Sequence, residues 1–253
     1  MKIEVLGCYG NATGRRRATS FLVNDEVLFD AGCVTEILPP ERLKLISHVC
    51  LSHIHLDHVN GLCYLAEMFS MWEGSRLTVA ADGPVIEGLS KHVFNNLLWP
   101  DFTAIPDREN AVVRLEVMGK DYAPIAGITV TPIPVEHRVY ATGFLVREGS
   151  KAVMMTSDTR TTEEFWQTAA RTEGLQFIIA HVAFPSRLDD LARRAGHMTP
   201  ATLLERIDTY SLQHITFYVS HMKSMFEREI RSEIRKAGRE NLHVLEQGAV
   251  LYA

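Results

Sequence analysis

The sequence predicts a layered α/β protein, and three observations support this prediction. Short apolar runs rich in β-branched residues alternate with segments of helical spacing along the chain. Turn residues follow these runs closely, and no long linker, internal repeat or low-complexity segment separates them. The composition, 46% hydrophobic and 23% charged over 253 residues, supplies a sizeable core. We therefore predict one domain over residues 1–253, with two β-rich halves that each carry helices.

The first half is predicted to begin with strands and then to alternate with helices. The strand-like runs are Lys2–Leu6, Ser20–Asn24, Glu26–Asp30, His48–Ser52, Arg76–Ala81 and Arg114–Met118. Apolar residues at helical spacing predict helices at Gly61–Trp72 and Pro84–Leu98, and Pro84 is well placed for a helix start.

The second half repeats this mixture. Its predicted strands are Ile128–Val135, Thr142–Arg147, Lys151–Ser157, Phe177–Val182, Ile215–Ser220 and a closing pair near His243–Tyr252. Helices are predicted to begin near Thr161 and at Thr199-Pro200, the latter running to about Ser211. Phe226, Ile230 and Ile234 mark a third helix by their i, i+4, i+8 spacing.

The charge and hydropathy of the chain argue against two kinds of partner, long nucleic acid and membranes. With 26 Lys and Arg against 31 Asp and Glu, the formal net charge is −5, so long nucleic acid is not the expected partner. No run approaches the roughly 20 apolar residues of a membrane span, so we expect a cytoplasmic protein without membrane contact. The four cysteines lack Cys-x-x-Cys spacing, and we expect reduced thiols that serve as small buried hydrophobes.

The densest chemical signal is a run of three histidines and one aspartate directly after the predicted strand His48–Ser52. The run reads His53-Ile54-His55-Leu56-Asp57-His58. Imidazole and carboxylate groups are good ligands for first-row divalent metals, and clustering them without a metal brings no structural advantage. The run therefore predicts a metal site where the chain leaves the extended conformation. A polar turn is the alternative.

A site for two metal ions needs more ligands than this run offers. Three further candidates, His137, Asp158 and His221, each stand where an apolar strand-like run ends. A single histidine in such a place is more often solvated or capped than bound to a metal. The repetition of the pattern favours metal ligands.

These residues and their order resemble the metallo-β-lactamase superfamily. Within it, the chain is most similar to the class II cyclic-nucleotide phosphodiesterase branch, from about residue 3 to 252. Four local features carry this likeness: the histidine run followed by Val59-Asn60-Gly61-Leu62, then Thr142-Gly143-Phe144-Leu145, Gly196-His197-Met198-Thr199-Pro200 and His221-Met222-Lys223. The first motif is very specific for the superfamily, and the others are moderately specific for the branch.

The resemblance implies a four-layer αββα sandwich of two mixed β-sheets, with the metals at one edge. It implies that one metal is held by His53, His55 and His137. A second metal would be held by Asp57, His58 and His221, and Asp158 would bridge the two. Two divalent ions are expected, zinc first, with manganese or iron as alternatives, because nitrogen and oxygen ligands do not choose strongly among them.

A centre of this kind suits phosphodiester hydrolysis. Two cations about 3.5–4 Å apart would lower the pKa of a shared water and stabilise the entering and leaving oxygens, and we expect a metal-bridging hydroxide to be the group that would attack phosphorus. We assign catalytic roles to Asp57, as a charged ligand, and to His197, which resembles a loop histidine near the metals of related enzymes. His197 would protonate the leaving alkoxide. Because it stands at a helix entry, a purely structural role is the alternative.

One position departs from the pattern of the branch. Relatives tend to carry a glutamate at the end of the strand before the His197 loop, where this chain has His181. His181 could accept the same hydrogen bond, approach a metal or be a buried structural residue. An imidazole in place of a carboxylate would change the charge beside the metals and the pKa of the proton donor.

Substrate contacts are indicated more weakly. Arg15, in the basic run Gly14–Arg17, could clamp a phosphate, although a solvated loop is the commoner meaning of such a run. Trp99 and Phe102 lie in a stretch that resembles an insert over the site in the branch, and they could stack on a base; core packing is the alternative. Lys223 could pair with a phosphate oxygen or extend into solvent.

The predicted function is hydrolysis of a small nucleotide phosphodiester, with a 3′,5′-cyclic nucleotide such as cyclic AMP as the first substrate to test. The same site could instead hydrolyse an ester, thioester or lactone carbonyl. Processing of tRNA 3′ ends needs a basic surface that the net charge of −5 argues against. A di-iron sensor or redox protein and a nucleotide-binding regulator are the non-hydrolytic alternatives. A homodimer is an open alternative to a monomer.

Overall fold

A computed structural model of the chain describes residues 1–122 and 127–253. The strands in these ranges are β1 (Lys2–Gly7), β2 (Ser20–Val23), β3 (Val27–Phe29), β4 (His48–Cys50), β5 (Leu77–Ala81), β6 (Val113–Val117), β7 (Ile128–Val135), β8 (Ala141–Glu148), β9 (Lys151–Met155), β10 (Leu175–His181), β11 (Thr216–Ser220), β12 (Leu242–Val244) and β13 (Val250–Tyr252). The α-helices are α1 (Val34–Ile37), α2 (Pro40–Leu43), α3 (Leu56–Ser70), α4 (Gly83–His92), α5 (Glu163–Arg171), α6 (Asp189–Ala195), α7 (Pro200–Thr209) and α8 (Glu227–Ala237).

The strands form two mixed sheets, as predicted. The first has the order β13-β1-β2-β3-β4-β5-β6 and the second the order β12-β11-β10-β9-β8-β7. In the first sheet, β13 to β3 pair antiparallel and β3 to β6 pair parallel. In the second, β9 to β12 pair parallel and β7 to β9 pair antiparallel.

Alternation along the strands divides the core into layers. On β2, Phe21 and Val23 belong to the apolar cluster shared with the second sheet, whereas Leu22 belongs to the cluster with α1, α3 and α4. Between the sheets, the rings of Phe29 and Phe144 meet edge to face at 5.2 Å. Fully burying one such side chain contributes about 2 kcal/mol. Apolar residues of α5, α7 and α8 extend the cluster of the second sheet, which completes the αββα sandwich.

Several boundaries differ from the sequence-based expectation. Helix α3 begins at Leu56 rather than Gly61, so its first turn lies within the histidine run. Leu56 is exposed, and apolar spacing therefore could not reveal this turn. Helix α4 ends at His92 rather than Leu98. Beyond it, the Asn95 side chain accepts the amides of residues 97 and 98 at 3.0 and 2.8 Å, which replaces helical hydrogen bonds.

The expected closing strand pair is also wrong. β12 pairs parallel with β11 in the second sheet, and β13 pairs antiparallel with β1 in the first. Sequence pattern identifies both strands, but the partner of a short edge strand depends on the packing of the whole molecule.

The direction of the strands places the candidate site. Strands β3 and β4 run in one direction in the first sheet, and β7, β9, β10 and β11 run in one direction in the second. The ends of both sets meet at one edge of the sandwich, where His55, after β4, lies 3.2 Å from His137, after β7. Loops after these strands therefore meet there. A separate finding concerns membranes: no helix among the described residues has the length and apolar composition to cross a bilayer.

Candidate metal centre

Three histidine nitrogens converge at the edge of the first sheet. Nδ1 of His55 lies 3.0 Å from Nε2 of His53 and 3.2 Å from Nε2 of His137. Ligand atoms held tetrahedrally at 2.0–2.1 Å from one zinc ion would be about 3.3 Å apart. His53 and His55 follow β4, and His137 follows β7, so two sheets contribute to this group.

A second group lies beside the first. Asp57, His58 and His221 each place one ligand-type atom within 4.8 Å of the others. Nε2 of His221 is 3.7 Å from Oδ2 of Asp57. Asp57 and His58 occupy the first turn of α3, and His221 directly follows β11.

Asp158 lies between the two groups and is almost fully buried. Its Oδ2 faces the first group, at 3.7 Å from Nε2 of His53 and 3.9 Å from Nε2 of His137. The same oxygen is 3.5 Å from Nε2 of His58. Its Oδ1 is 3.1 Å from Nε2 of His221. The carboxylate therefore lies between the two groups: Oδ1 faces His221, and Oδ2 faces both the first group and His58.

The second nitrogen of four rings is held by a partner outside the cluster. These pairs are His53 Nδ1 with Ser52 Oγ at 3.0 Å, His58 Nδ1 with Asp30 Oδ2 at 2.7 Å, His137 Nδ1 with the carbonyl of Gly196 at 2.9 Å, and His221 Nδ1 with Thr19 Oγ1 at 2.8 Å. Such contacts fix the orientation of a ligating ring and leave its Nε2 lone pair free for a metal.

Burial keeps three of the candidate ligand rings uncharged, those of His53, His55 and His221. It lowers the pKa of His53 well below its usual value, and it also lowers the pKa of His55. Burial lowers the pKa of His221 to about 3, although Asp158 opposes the shift. Neutral imidazole is the form that binds metal ions, so these rings are ready to do so.

The carboxylates of the cluster are ionised. Burial opposes ionisation of Asp158, but His221 and His58 outweigh it and hold the pKa of Asp158 well below its usual value. Asp57 follows the same pattern: burial raises its pKa, His58 and His221 lower it, and the balance is a lowered pKa. Two negative charges thus face the positions a metal would take.

His58 behaves differently from His53, His55 and His221. Burial favours its neutral form, but Asp30 and Asp158 outweigh burial and raise the pKa of His58 well above its usual value. Without a metal, this ring therefore carries a proton at neutral pH. A divalent cation would have to displace that proton.

The residues present fit divalent metal ions. Nε2 of His58 and Nε2 of His221 are buried and make no hydrogen bond of good geometry, although the Asp158 carboxylate lies 3.5 and 3.1 Å away. Orphaned polar atoms of this kind are costly unless something binds them. The donor set consists of imidazole and carboxylate, which suits zinc, manganese or iron.

The structure brings His197 to the same site, where its side chain is largely buried. Its Nδ1 lies 3.9 Å from Oδ2 of Asp158 and has no hydrogen-bond partner. Burial lowers the pKa of His197 to about 4, although Asp158 opposes the shift. The ring is therefore uncharged at neutral pH, and a proton-donating role requires the negative charge of a substrate to raise that pKa.

A cleft of about 380 Å³ opens beside the second group, and Gly10, Asp57, Asn60 and Lys223 contribute to its lining. Nζ of Lys223 donates to the carbonyl of Gly10 at 2.5 Å and lies 3.7 Å from Oδ2 of Asp57. Lys223 is thus held at the rim rather than extended into solvent.

Most of the basic run is committed to ion pairs. Arg16 pairs with Glu227 at 2.5 Å, and Arg17 pairs with Glu36 at 3.0 Å. Arg15 is exposed at the tip of a turn closed by hydrogen bonds between residues 13 and 16. Its side chain is the member of this run that remains accessible to an anion.

The two aromatic candidates have different surroundings. Trp99 donates Nε1–H to the carbonyl of Cys63 at 3.0 Å and borders a mainly apolar cavity of about 180 Å³. That cavity and the cleft share Leu56 and Asn60. Phe102 is 5% exposed and packs in the core behind the first sheet. Its expected role in base stacking is corrected to packing, because no face of the ring is free.

The sequence did not reveal the residues that orient the candidate ligands. Asp30 accepts from the amide and Oγ of Ser52, at 2.8 and 2.9 Å, besides its contact with His58. Thr19 and Gly196 support His221 and His137. An aspartate at the end of a buried strand was a usable signal for Asp30. Nothing local marks Thr19, because its partner is 202 residues away.

Comparisons with known proteins agree with this geometry. A family model described as a β-lactamase superfamily domain matches residues 26–222. The chain is 27% identical over 217 residues to 3′,5′-cyclic-nucleotide phosphodiesterase 1 of Saccharomyces cerevisiae, covering 73% of this chain and 58% of that protein. It is 25% identical over 207 residues to a probable 3′,5′-cyclic-nucleotide phosphodiesterase of Yersinia pestis, covering 72% of this chain and 59% of that protein.

These matches span about three fifths of the length of the curated relatives. The unliganded crystal structure of yeast PDE1 superposes with a TM-score of 0.82 at 19% identity, covering 100% of this chain and 99% of that one. This likeness concerns the fold. Because the family model spans most of the sequence, the chain belongs to the metallo-β-lactamase superfamily, and its curated relatives include cyclic-nucleotide phosphodiesterases.

Proposed function

We propose that this chain is a metal-dependent phosphodiesterase that hydrolyses a small nucleotide, with a 3′,5′-cyclic nucleotide as the first candidate. The observation that carries the proposal is the buried pair of ligand groups joined by Asp158. The likeness to two cyclic-nucleotide phosphodiesterases supports the choice of substrate class. A small substrate also agrees with the cleft volume of about 380 Å³.

In this proposal two divalent ions occupy the centre, zinc first and manganese or iron as alternatives. One would be held by His53, His55 and His137, the other by Asp57, His58 and His221, with Asp158 between them. When bound, such a pair of ions supplies an activated water and neutralises charge that develops on the phosphate oxygens. The charges of Asp57 and Asp158 offset part of the positive charge of the ions, which neutral ligands could not do.

The remaining residues act on the substrate. Lys223, at the rim of the cleft, would pair with a non-bridging phosphate oxygen, and Arg15 is a second candidate for an anion. His197, whose Nδ1 lies 3.9 Å from Oδ2 of Asp158, would give a proton to the leaving alkoxide once the phosphate has raised the pKa of its ring. The cavity beside Trp99 suits the apolar faces of a nucleobase.

We also propose a reducing compartment, the cytoplasm, for this protein. All four cysteines are free thiols, and burial raises the pKa of Cys8 and of Cys33 to about 12. Such thiols behave as small apolar side chains and react slowly.

A substrate panel tests the proposal. Protein reconstituted with Zn²⁺ or Mn²⁺ is given 3′,5′-cyclic AMP, bis-p-nitrophenyl phosphate, a p-nitrophenyl carboxylate ester and a lactone. We expect turnover of both phosphodiesters and little turnover of the carbonyl compounds. If only bis-p-nitrophenyl phosphate is cleaved, the chain is a phosphodiesterase whose substrate is a nucleotide diester other than 3′,5′-cyclic AMP. Cleavage of the carbonyl compounds alone would overturn the proposal in favour of a carbonyl hydrolase.

A further inference from the structure

His181 contacts the central carboxylate of the site but belongs to neither of the two ligand groups above. It is the last residue of β10 and is almost fully buried. Its Nδ1 lies 3.0 Å from Oδ1 of Asp158. A carboxylate only accepts hydrogen bonds, so Nδ1 is the donor. Nε2 of His181 is buried without a partner, which also favours the tautomer with its hydrogen on Nδ1.

The backbone amide of His181 also contacts the segment that leads to Asp158. Its amide donates to Oγ1 of Thr156 at 2.9 Å, and Thr156 in turn donates to the carbonyl of Ser157 at 2.8 Å. Ser157 has a φ of 54°, in the left-handed region that a residue with a side chain disfavours. The segment that delivers Asp158 is therefore unfavourable by itself, and His181 contacts it through both backbone and ring.

The ring of His181 is itself immobilised. Strands β10 and β11 are parallel and in register, with His181 opposite Ser220. His221 follows Ser220, and its ring stacks on that of His181 with centroids 4.7 Å apart and planes 7° apart. Because the ring of His181 is packed between His221 and the segment of Asp158, its Nδ1–H is directed only at Oδ1 of Asp158.

This contact distinguishes the two oxygens of Asp158. Oδ1 faces His181 and His221, at 3.0 and 3.1 Å. Oδ2 is left to face His53, His58 and His137. Without the hydrogen bond, the carboxylate could rotate about its Cβ–Cγ bond, and its two oxygens would no longer face these fixed sets of residues.

We propose that His181 is a positioning residue that sets the orientation of Asp158, so that Oδ1 stays beside His221 while Oδ2 faces the rings of His53, His58 and His137. The inference rests on the proposed metal centre and adds to it a residue that supports the bridging ligand. It predicts that the N–H donor at the Nδ1 position matters, and that the rest of the imidazole does not.

Three substitutions separate these contributions. Asparagine places an amide N–H near the position of Nδ1, glutamine places one near Nε2, and alanine removes both. Residues that orient metal ligands typically contribute 10–100-fold to metal affinity. We expect H181A and H181Q to weaken the binding of Zn²⁺ by about 10–100-fold, and H181N to stay within about threefold of the wild type. Calorimetric titration of the metal-free proteins with Zn²⁺ measures this directly.

A matched control comes from His48, a half-buried histidine on β4 whose Nδ1 contacts Ser47 Oγ at 3.0 Å. H48A and H48N should leave Zn²⁺ binding unchanged. If H181A does not fold, the comparison of H181N with H181Q still decides the question, because both amides fill the site. Rescue by H181N but not by H181Q supports the proposal.

Two results would overturn it. Equal losses in H181N and H181Q would make the imidazole itself the important group, either as a ligand or for packing. Unchanged Zn²⁺ affinity in all three variants would mean that Asp158 is oriented without His181. Failure of the underlying metal centre is a separate result, since the wild type would then bind no Zn²⁺ in the same titration.

Discussion

The contact between Asp30 and His58 should affect both the affinity of the site for a metal ion and the release of protons when the metal binds. Oδ2 of Asp30 lies 2.7 Å from Nδ1 of His58 and 2.9 Å from Oγ of Ser52. Asp30 also helps to raise the pKa of His58. In D30N, an amide nitrogen at the position of Oδ2 would donate where the carboxylate accepted. His58 would then have to accept at Nδ1 and carry its hydrogen on Nε2, facing the metal position.

The expected release of protons and the expected loss of metal affinity follow from the protonation states of the site histidines. In the wild type at pH 7, His58 is protonated without metal, whereas His53, His55 and His221 have lowered pKa values and are neutral. Metal binding should therefore release the proton of His58, and affinity should rise with pH up to the pKa of His58. D30N should release fewer protons and bind about 10–100-fold more weakly, which is about 1.4–2.7 kcal/mol.

Calorimetric titration with Zn²⁺ at pH 7 in buffers of different ionisation enthalpy measures both quantities. T19V is the matched control, because it removes the contact at 2.8 Å from Nδ1 of His221, a ring that is already neutral. T19V should lose affinity to a similar degree and still release about one proton. A wild type that releases no proton would refute the reasoning. Equal loss of proton release in D30N and T19V would do so too.

Three further substitutions test other parts of the site. D57N should lower turnover by about 100-fold or more, because a neutral amide is a poorer ligand and cannot balance cation charge; steady-state kinetics with near-normal turnover would contradict this. H197A should lower the rate of hydrolysis of cyclic AMP far more than that of bis-p-nitrophenyl phosphate, whose leaving group needs no proton. Equal losses of rate on both substrates would show that His197 is not the general acid. G196A should destabilise the fold by about 1–2 kcal/mol, because φ is 73° and the new Cβ would lie 2.8 Å from Nδ1 of His137. Chemical denaturation checks this, and unchanged stability would contradict it.

Local pattern predicts the strands and the candidate ligands, because both depend on neighbouring residues. The run from Ile128 to Val135 is identified with its observed bounds, since β-branched residues and flanking turns mark both ends. The histidine run needs no tertiary information, because its density alone indicates a metal site. His137, Asp158 and His221 could be predicted as candidate ligands because each follows the end of a predicted strand.

What the sequence could not predict depends on distant contacts. Phe102 resembles an exposed aromatic at a helix end, yet it is buried behind the first sheet. Arg16 and Arg17 form part of an apparent anion-binding run, yet Glu227 and Glu36 neutralise them from other elements. The role of His181 was open for the same reason, because it depends on a carboxylate 23 residues away.

The most direct test of the proposed function is phosphorus NMR of 3′,5′-cyclic AMP with the metal-loaded protein in ¹⁸O-enriched water. The proposal predicts that the diester signal is replaced by that of a phosphate monoester. The monoester should carry one ¹⁸O atom on phosphorus, since water supplies the entering oxygen. A protein that holds two metal ions per chain and leaves both cyclic AMP and bis-p-nitrophenyl phosphate intact would contradict it.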